Sequence, residues 1–267
     1  MWLVHSGVGE VFVFVGLAQH IQVDNRPMYA LRARGFEPSQ ENFRSISEAV
    51  VTYVSEIRRR QPQGPYALAG YSYGTMLAFE IAKSLESGGE EVGFLGSFNL
   101  PPHIKTRMRQ LSWNMCILHL AQFLGLITES RVEGVLTGDS GYLDASTAAA
   151  LAHVLDIADM TRMRELGLGS RELARWADVA HGLQSMAVDY EPSGNVAVID
   201  VFHAEPLKVA ASSREEWVTD QLGKWRDFCR TKPRFHEVGG ANYTMIDQDH
   251  VGPFSETLRE ALHARGI

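Results

Sequence analysis

The sequence predicts an α/β protein, a mostly parallel sheet broken by a block of helices. Three observations carry this. Strand-like and helix-like segments alternate from Trp2 to Phe98, as in a parallel sheet with helices on both faces. From about Ile104 to Ser185 strand signals vanish and helical periodicity takes over. Within the first block lies Gly70-Tyr71-Ser72-Tyr73-Gly74, a G-x-S-x-G pentapeptide set between an apolar run and a helix-favouring stretch.

Taken in order, Trp2–His5 reads as a buried strand and Val11–Ile21 as a helix after a glycine loop. Met28–Leu31 is a short strand and Ser45–Arg59 a helix, with Arg58, Arg59 and Arg60 at its end, where cations complement the helix dipole. Tyr66–Ala69 is the strand entering the pentapeptide, Thr75–Ser87 the helix leaving it, and Val92–Phe98 the next strand. Helices follow at Leu111–Leu124, Ala145–Met160 and Arg171–Ala187, with Gly134, Gly138 and Gly141 marking a loop between the first two. Strands return at Val196–Phe202 and Phe235–Val238, and a helix over Asp249–Ala264 completes the topology. This is one domain over 1–267, with a core of 1–103 and 186–267 and a helical lid at about 104–185. Within the insertion, Trp113, Met115, Phe123 and Met163 either line an acyl pocket or pack the lid's own core.

Strand, tight turn carrying serine, then helix is the context of a nucleophile elbow in an α/β-hydrolase fold. Gly70 and Gly74 have a steric reason, since a strained serine turn leaves no room for a Cβ two residues to either side. Ser72 is therefore the candidate acyl-transfer nucleophile. Its oxyanion needs two N–H groups: Tyr73, the residue after the serine, supplies one. Gly7 or Val8, in the small-residue loop after the first strand, supplies the other.

An acid and a base are expected at the ends of later strands, in that order. The acid slot after Val92–Phe98 holds Asn99. An amide can accept from an imidazole but cannot stabilise its charge, and it can favour the wrong tautomer. Glu205, in the loop after Val196–Phe202, is the second candidate, while Asp200 within that strand reads as structural. The histidine slot between the last strand and helix holds Asn242, whose amide is no base near neutral pH. His250 follows eight residues later, either as a helix-start residue with Asp247 as cap or as the base.

Bulk properties exclude other classes. A net charge of −7 with no basic tract gives no reason to expect nucleic acid. The two cysteines lie far apart, and the ten histidines form no H-x-x-x-H pair, so no disulfide framework or metal site is expected. No leader and no apolar run approaching ~18 residues is present, so a cytoplasmic protein without membrane contact is expected. Both ends read as cut, as in a domain lifted from a longer polypeptide.

The chain resembles the C-terminal thioesterase domains of nonribosomal peptide synthetases. More narrowly, it is similar to those of fungal adenylation–thiolation–thioesterase enzymes of the terrequinone, atromentin and microperfuranone type. The resemblance covers essentially the whole chain. It rests on G-Y-S-Y-G with its following helix, on Leu95–Lys105 (most specifically the run Phe98-Asn99-Leu100-Pro101-Pro102-His103-Ile104-Lys105), and on Tyr243-Thr244-Met245-Ile246 followed by Asp249-His250-Val251. It implies that Ser72 takes an aryl-α-keto acyl group from the phosphopantetheine thioester of a carrier domain in the same natural polypeptide. A second aryl-pyruvyl unit then condenses with it, releasing a quinone or furanone, and the domain binds no cofactor of its own.

The chain departs from that pattern where a G-x-H-Y-T-M histidine is replaced by Asn242; losing a base of this kind costs roughly 10⁶ in kcat. Three explanations stand: a histidine replaced deliberately, recruitment of His250, or a degenerate binding module. Asn99 in place of the usual aspartate reads as native to the narrower group. Rival readings are a hydrolytic editing (type II) thioesterase, a carrier-docking module without catalysis, and an ordinary esterase.

Overall fold

A computed structural model of the chain describes residues 1–21, 27–138, 141–206 and 210–267. Its sheet has six strands in the order β2-β1-β3-β4-β5-β6, and every pairing is parallel. These are β1 (Trp2–Val4), β2 (Tyr29–Leu31), β3 (Tyr66–Tyr71), β4 (Val92–Phe98), β5 (Asp200–Glu205) and β6 (Arg234–Ala241). Parallel pairing brings all strand C-termini to one edge, where active sites of open α/β sheets lie. With flanking helices this is the α/β-hydrolase arrangement.

The described chain divides into two compact units. The first comprises Met1–Arg32, Ser45–Ile104 and Tyr190–Ile267 and holds the whole sheet. Its helices are α1 (Val15–Ile21), α2 (Ile46–Arg60), α3 (Tyr73–Ser87) and, later in the chain, α10 (Arg214–Glu216) and α11 (Val251–His263). The Ser45 hydroxyl caps α2 by accepting from the Glu48 N–H at 3.1 Å. Ala49, Val50, Tyr53, Val54 and Ile57 then repeat on its buried face, and its last turn carries Arg58, Arg59 and Arg60. Every residue of β3 is buried, as expected of a central strand covered on both faces. α11 seats Phe254 against Phe98 and Phe202, with ring centroids 4.9 and 5.5 Å away. Burying a phenylalanine of this kind stabilises by about 1.5–3 kcal/mol.

The second unit comprises Ala33–Arg44 and Lys105–Asp189. It contains α4 (Lys105–Arg109), α5 (Trp113–Phe123), α6 (Glu129–Gly138), α7 (Thr147–Ile157), α8 (Met160–Glu165) and α9 (Ser170–Met186). α5 packs on α7 and α9. The segment 33–44, which the sequence reading left with the sheet, is bound here instead. The Asn42 side chain donates to the Asp178 carbonyl at 3.4 Å, Arg175 donates to the Phe36 carbonyl at 3.4 Å, and Phe36 meets Trp176 edge-on at 5.1 Å. Met163 is buried in this unit, and the Trp113 indole donates to Asp178 at 2.8 Å.

Three local expectations need correction. Gly134 and Gly138 lie inside α6 rather than in a loop; buried Val132 and Val135 hold the helix, and a Cβ at either glycine would meet nothing. The helix expected over Ala145–Met160 stops at Ile157, because Ala158 turns extended and Asp159 instead caps a further helix, α8, through the Thr161 and Arg162 N–H groups. The fifth strand begins at Asp200, not Val196, which makes only an isolated bridge to Cys229. Among the described residues no helix is long and apolar enough to cross a membrane.

Candidate active site

β3 runs straight into a turn at Ser72, whose backbone sits at φ 51°, ψ −125°. A non-glycine residue there costs about 1–3 kcal/mol, held only because the surroundings over-determine it. They do so through three bonds: Ser72 N–H to the Phe98 carbonyl at 3.0 Å, Thr75 N–H to the Ser72 carbonyl at 2.8 Å, and Thr75 Oγ1 to the Gly70 carbonyl at 2.8 Å. A Cβ on Gly70 would land on the Gly74 carbonyl, and one on Gly74 on the carbonyls of His5 and Val4. Both elbow glycines are therefore required by contact. The Gly74 approach also seats the loop after β1 against the start of α3.

That loop carries Gly7, and its turn closes by the Gly9 N–H donating to the Ser6 carbonyl at 2.9 Å, with Gly9 at φ 83°. Behind it, His5 is fully buried. Its Nδ1 lies 2.7 Å from the Ser6 carbonyl, which can only accept, so Nδ1 carries the proton and Nε2 accepts from the Tyr53 hydroxyl at 2.8 Å. Burial lowers the His5 pKa to about 4, so the ring is a neutral prop for the loop. Tyr73 opens α3 directly after the serine.

At the end of the neighbouring strand β4, Asn99 also has a left-handed backbone, φ 58°, and is buried. Its Oδ1 accepts from the Trp217 indole N–H at 2.8 Å and the Ala204 backbone N–H at 3.3 Å. Its Nδ2 donates to Asn242 Oδ1 at 3.2 Å. The structure thus joins the two residues that the sequence places in the acid and base slots. Asn242 is anchored independently, since the Tyr71 hydroxyl donates to its main-chain carbonyl. The turn behind it is tied by Ala241 N–H to Thr244 Oγ1 at 2.9 Å and by Met245 N–H to the Ala241 carbonyl at 2.9 Å, with Met245 fully buried.

The other candidates lie in different settings. His250 is the N-cap residue of α11. Its Nδ1 lies 2.8 Å from Asp247 Oδ1, which also accepts the His250 and Asp249 backbone N–H groups at 3.1 Å each. Glu205 is exposed at the end of β5 and pairs with Arg214 at 2.7 Å; among the described residues no hydrogen bond joins it to Asn99 or Asn242. Asp200 is wholly buried between His236 at 2.8 Å and Arg265 at 2.7 Å, in the structural role expected of it. Among the described residues no group of His, Cys, Asp or Glu is arranged to hold a metal ion.

Sequence reading missed Trp217 and Tyr71. Tyr71 lies within the elbow pentapeptide, next to Ser72, but nothing local signals that its hydroxyl reaches residue 242. Trp217 lies in an irregular helical stretch 118 positions from its partner, and no periodicity points to it.

Comparison with known proteins shows the family to which the chain belongs. The chain is 56% identical over 267 residues to the nonribosomal peptide synthetase atrA of Aspergillus terreus, covering all of this chain and 29% of that protein. It is 51% identical to the aspulvinone E synthetase melA of Aspergillus terreus, again covering all of this chain and 28% of that protein. This chain therefore spans less than a third of the length of these relatives. Among solved structures, the NocB thioesterase domain from the nocardicin cluster superposes with a TM-score of 0.64 at 20% identity, covering 98% of this chain and 92% of that one. Residues 1–262 match the thioesterase domain family, and the chain belongs to it.

Proposed function

We propose that this domain takes an aryl-α-keto acyl group from a carrier domain's phosphopantetheine thioester onto Ser72 and releases product by condensing two aryl-pyruvyl units. The strained Ser72 at the start of α3 is the observation that carries the reading. Ser72 Oγ attacks the thioester carbonyl, the C–S bond breaks, and the proton ends on the departing thiol. Tyr73 and Gly7 provide N–H groups for the oxyanion. Similarity to multidomain synthetases over a third or less of their length supports a carrier domain as the partner.

The absence of a base at position 242 slows every proton transfer at the site, and water, a weaker nucleophile than an enol, loses most by it. Hydrolysing a serine ester requires a base to activate water, and Asn242 is none. The ester therefore persists. The methylene beside the ketone of a second unit is acidic enough to form an enol, whose carbon attacks the ester carbonyl. A C–C bond forms and Ser72 Oγ leaves with a proton. A hydrolytic editing domain would instead need water activation at this position.

The test is intact mass spectrometry after incubation with an aryl-pyruvyl thioester. An adduct on the wild type that is absent from Ser72→Ala, followed by a dimeric aromatic product, is the expected result. Free aryl-pyruvate as the main product would favour editing. No adduct under any condition would favour a docking module.

A further inference from the structure

We propose that Trp217 is a positioning residue which, with the Ala204 N–H, fixes the polarity of the Asn99–Asn242 amide pair and so makes position 242 a hydrogen-bond donor toward substrate. The functional half of this proposal rests on the reading of Ser72 given above.

An amide group has two faces of similar shape and opposite chemistry, and either assignment fits a given outline. Here the surroundings decide. An indole N–H and a backbone N–H are both obligate donors. They converge on one atom of the Asn99 side chain at 2.8 and 3.3 Å, and that atom must be the oxygen. The Asn99 nitrogen then faces Asn242, at 3.2 Å. A nitrogen with two N–H bonds can only donate, so Asn242 must turn its own oxygen toward it. The NH₂ of Asn242 is left on the opposite side as the group that meets a ligand. Its complement is a carbonyl oxygen, such as the ketone or ester oxygen of an α-keto acyl group. The orientation passes from Trp217 through Asn99 to Asn242 with no free choice along the way.

One consequence runs against the simplest repair of this site. A histidine placed at 242 would put its Nδ1 close to where Asn242 Oδ1 now lies. Facing the Asn99 NH₂, that nitrogen would have to accept, and the ring proton would move to Nε2. An imidazole with its proton on Nε2 cannot accept one from serine. Asn242→His alone therefore restores a ring held mainly in the wrong tautomer, a base far weaker than a paired histidine. Aspartate at 99 would still satisfy Trp217 and Ala204 through one oxygen, and would accept from Nδ1–H through the other. The two positions change usefully only together.

The experiment compares Asn242→His with Asn99→Asp/Asn242→His in the full chain, using two readouts. Heteronuclear NMR of labelled histidine reports the tautomer at 242. Mass spectrometry with an aryl-pyruvyl N-acetylcysteamine thioester reports acylation of Ser72. The single variant is expected to hold the Nε2–H tautomer, the double variant the Nδ1–H tautomer. The double variant should acylate roughly 10⁴-fold faster, following the loss seen when a triad aspartate becomes asparagine. Adding Trp217→Phe to the single variant removes one of the two donors and frees the Asn99 amide to turn. Acylation should then rise about tenfold, the effect of a 1.4 kcal/mol change, where simple damage to the site would lower it. An Nδ1–H tautomer in the single variant, or a Trp217→Phe change that leaves the tautomer as it was, overturns the proposal. If the tautomers are as expected but neither variant acylates Ser72, the amide pair stands and the acyl-transfer reading falls. Should the histidine variants not fold, Asn242→Asp replaces them. Facing an NH₂, its carboxyl is expected to titrate below the usual aspartate range, and a raised value would overturn the proposal.

Discussion

The hydroxyl of Tyr71 is bonded to the main-chain carbonyl of Asn242, 171 positions away in sequence. The residue just before Ser72 therefore holds the loop that carries position 242. Tyr71 is buried, and burial pushes its phenol well above the ordinary value, so it acts as a neutral donor throughout the physiological range. Tyr71→Phe leaves that carbonyl without its partner. Stability should fall by about 1–2 kcal/mol in urea denaturation. Acylation of Ser72 should slow by more than KM changes, because a loop position is lost rather than a substrate contact. A variant with wild-type acylation kinetics would show that the anchor does not matter to the site.

Glycines 74 and 134 are predicted to respond in opposite ways to alanine. At Gly74 the new methyl meets the His5 and Val4 carbonyls, which cannot move aside, and destabilisation of about 1–3 kcal/mol or more is expected. At Gly134 the methyl meets nothing, inside a helix, and a gain of about 0.5–1 kcal/mol is expected. Denaturation midpoints of the two variants check both signs, and equal effects would refute the contact argument.

Ser72→Gly should separate stability from activity. Glycine adopts φ 51° without the strain that serine bears. The variant is expected to be about 1 kcal/mol more stable and to form no acyl adduct. A drop in melting temperature would mean that the serine hydroxyl contributes more than its backbone costs.

His5 sets a pH dependence of known sign. Its folded pKa of about 4 lies below the ordinary value of 6.5, because burial disfavours the charged ring. In the window between them the unfolded chain binds the extra proton, so stability rises with pH there. The contribution is full above about pH 6.5 and is lost as pH falls toward 4, on the order of 3 kcal/mol in all. Urea denaturation at pH 4.5 and 6.5 should show a smaller difference for His5→Gln than for the wild type.

Much of this was legible in the sequence, for local reasons. The elbow could be read because its constraints act within five residues: two glycines and a serine between an apolar run and a helix. Asn99 and Asn242 could be placed because a parallel sheet sends strand ends to one edge, and each follows a strand. What joins them was not legible. The Trp217 indole and the Ala204 N–H reach Asn99 across more than a hundred positions, and no local pattern encodes that. Gly134 and Gly138 misled because glycine composition outweighed two buried valines one turn apart. Asp159 was hidden inside an apolar periodicity that it in fact interrupts.

The split of the helical unit into two stretches of chain bears on protein engineering. Exchanging residues 105–189 for the matching stretch of a relative is the obvious way to transplant this unit. Such a chimera would keep a foreign 33–44, so Phe36, Asn42 and their partners Trp176, Arg175 and Asp178 would come from different parents. Mismatched halves of one small core tend to yield insoluble hybrids whose failure says nothing about chemistry. A graft that carries both stretches respects the unit as it is built, and its failure or success can be read.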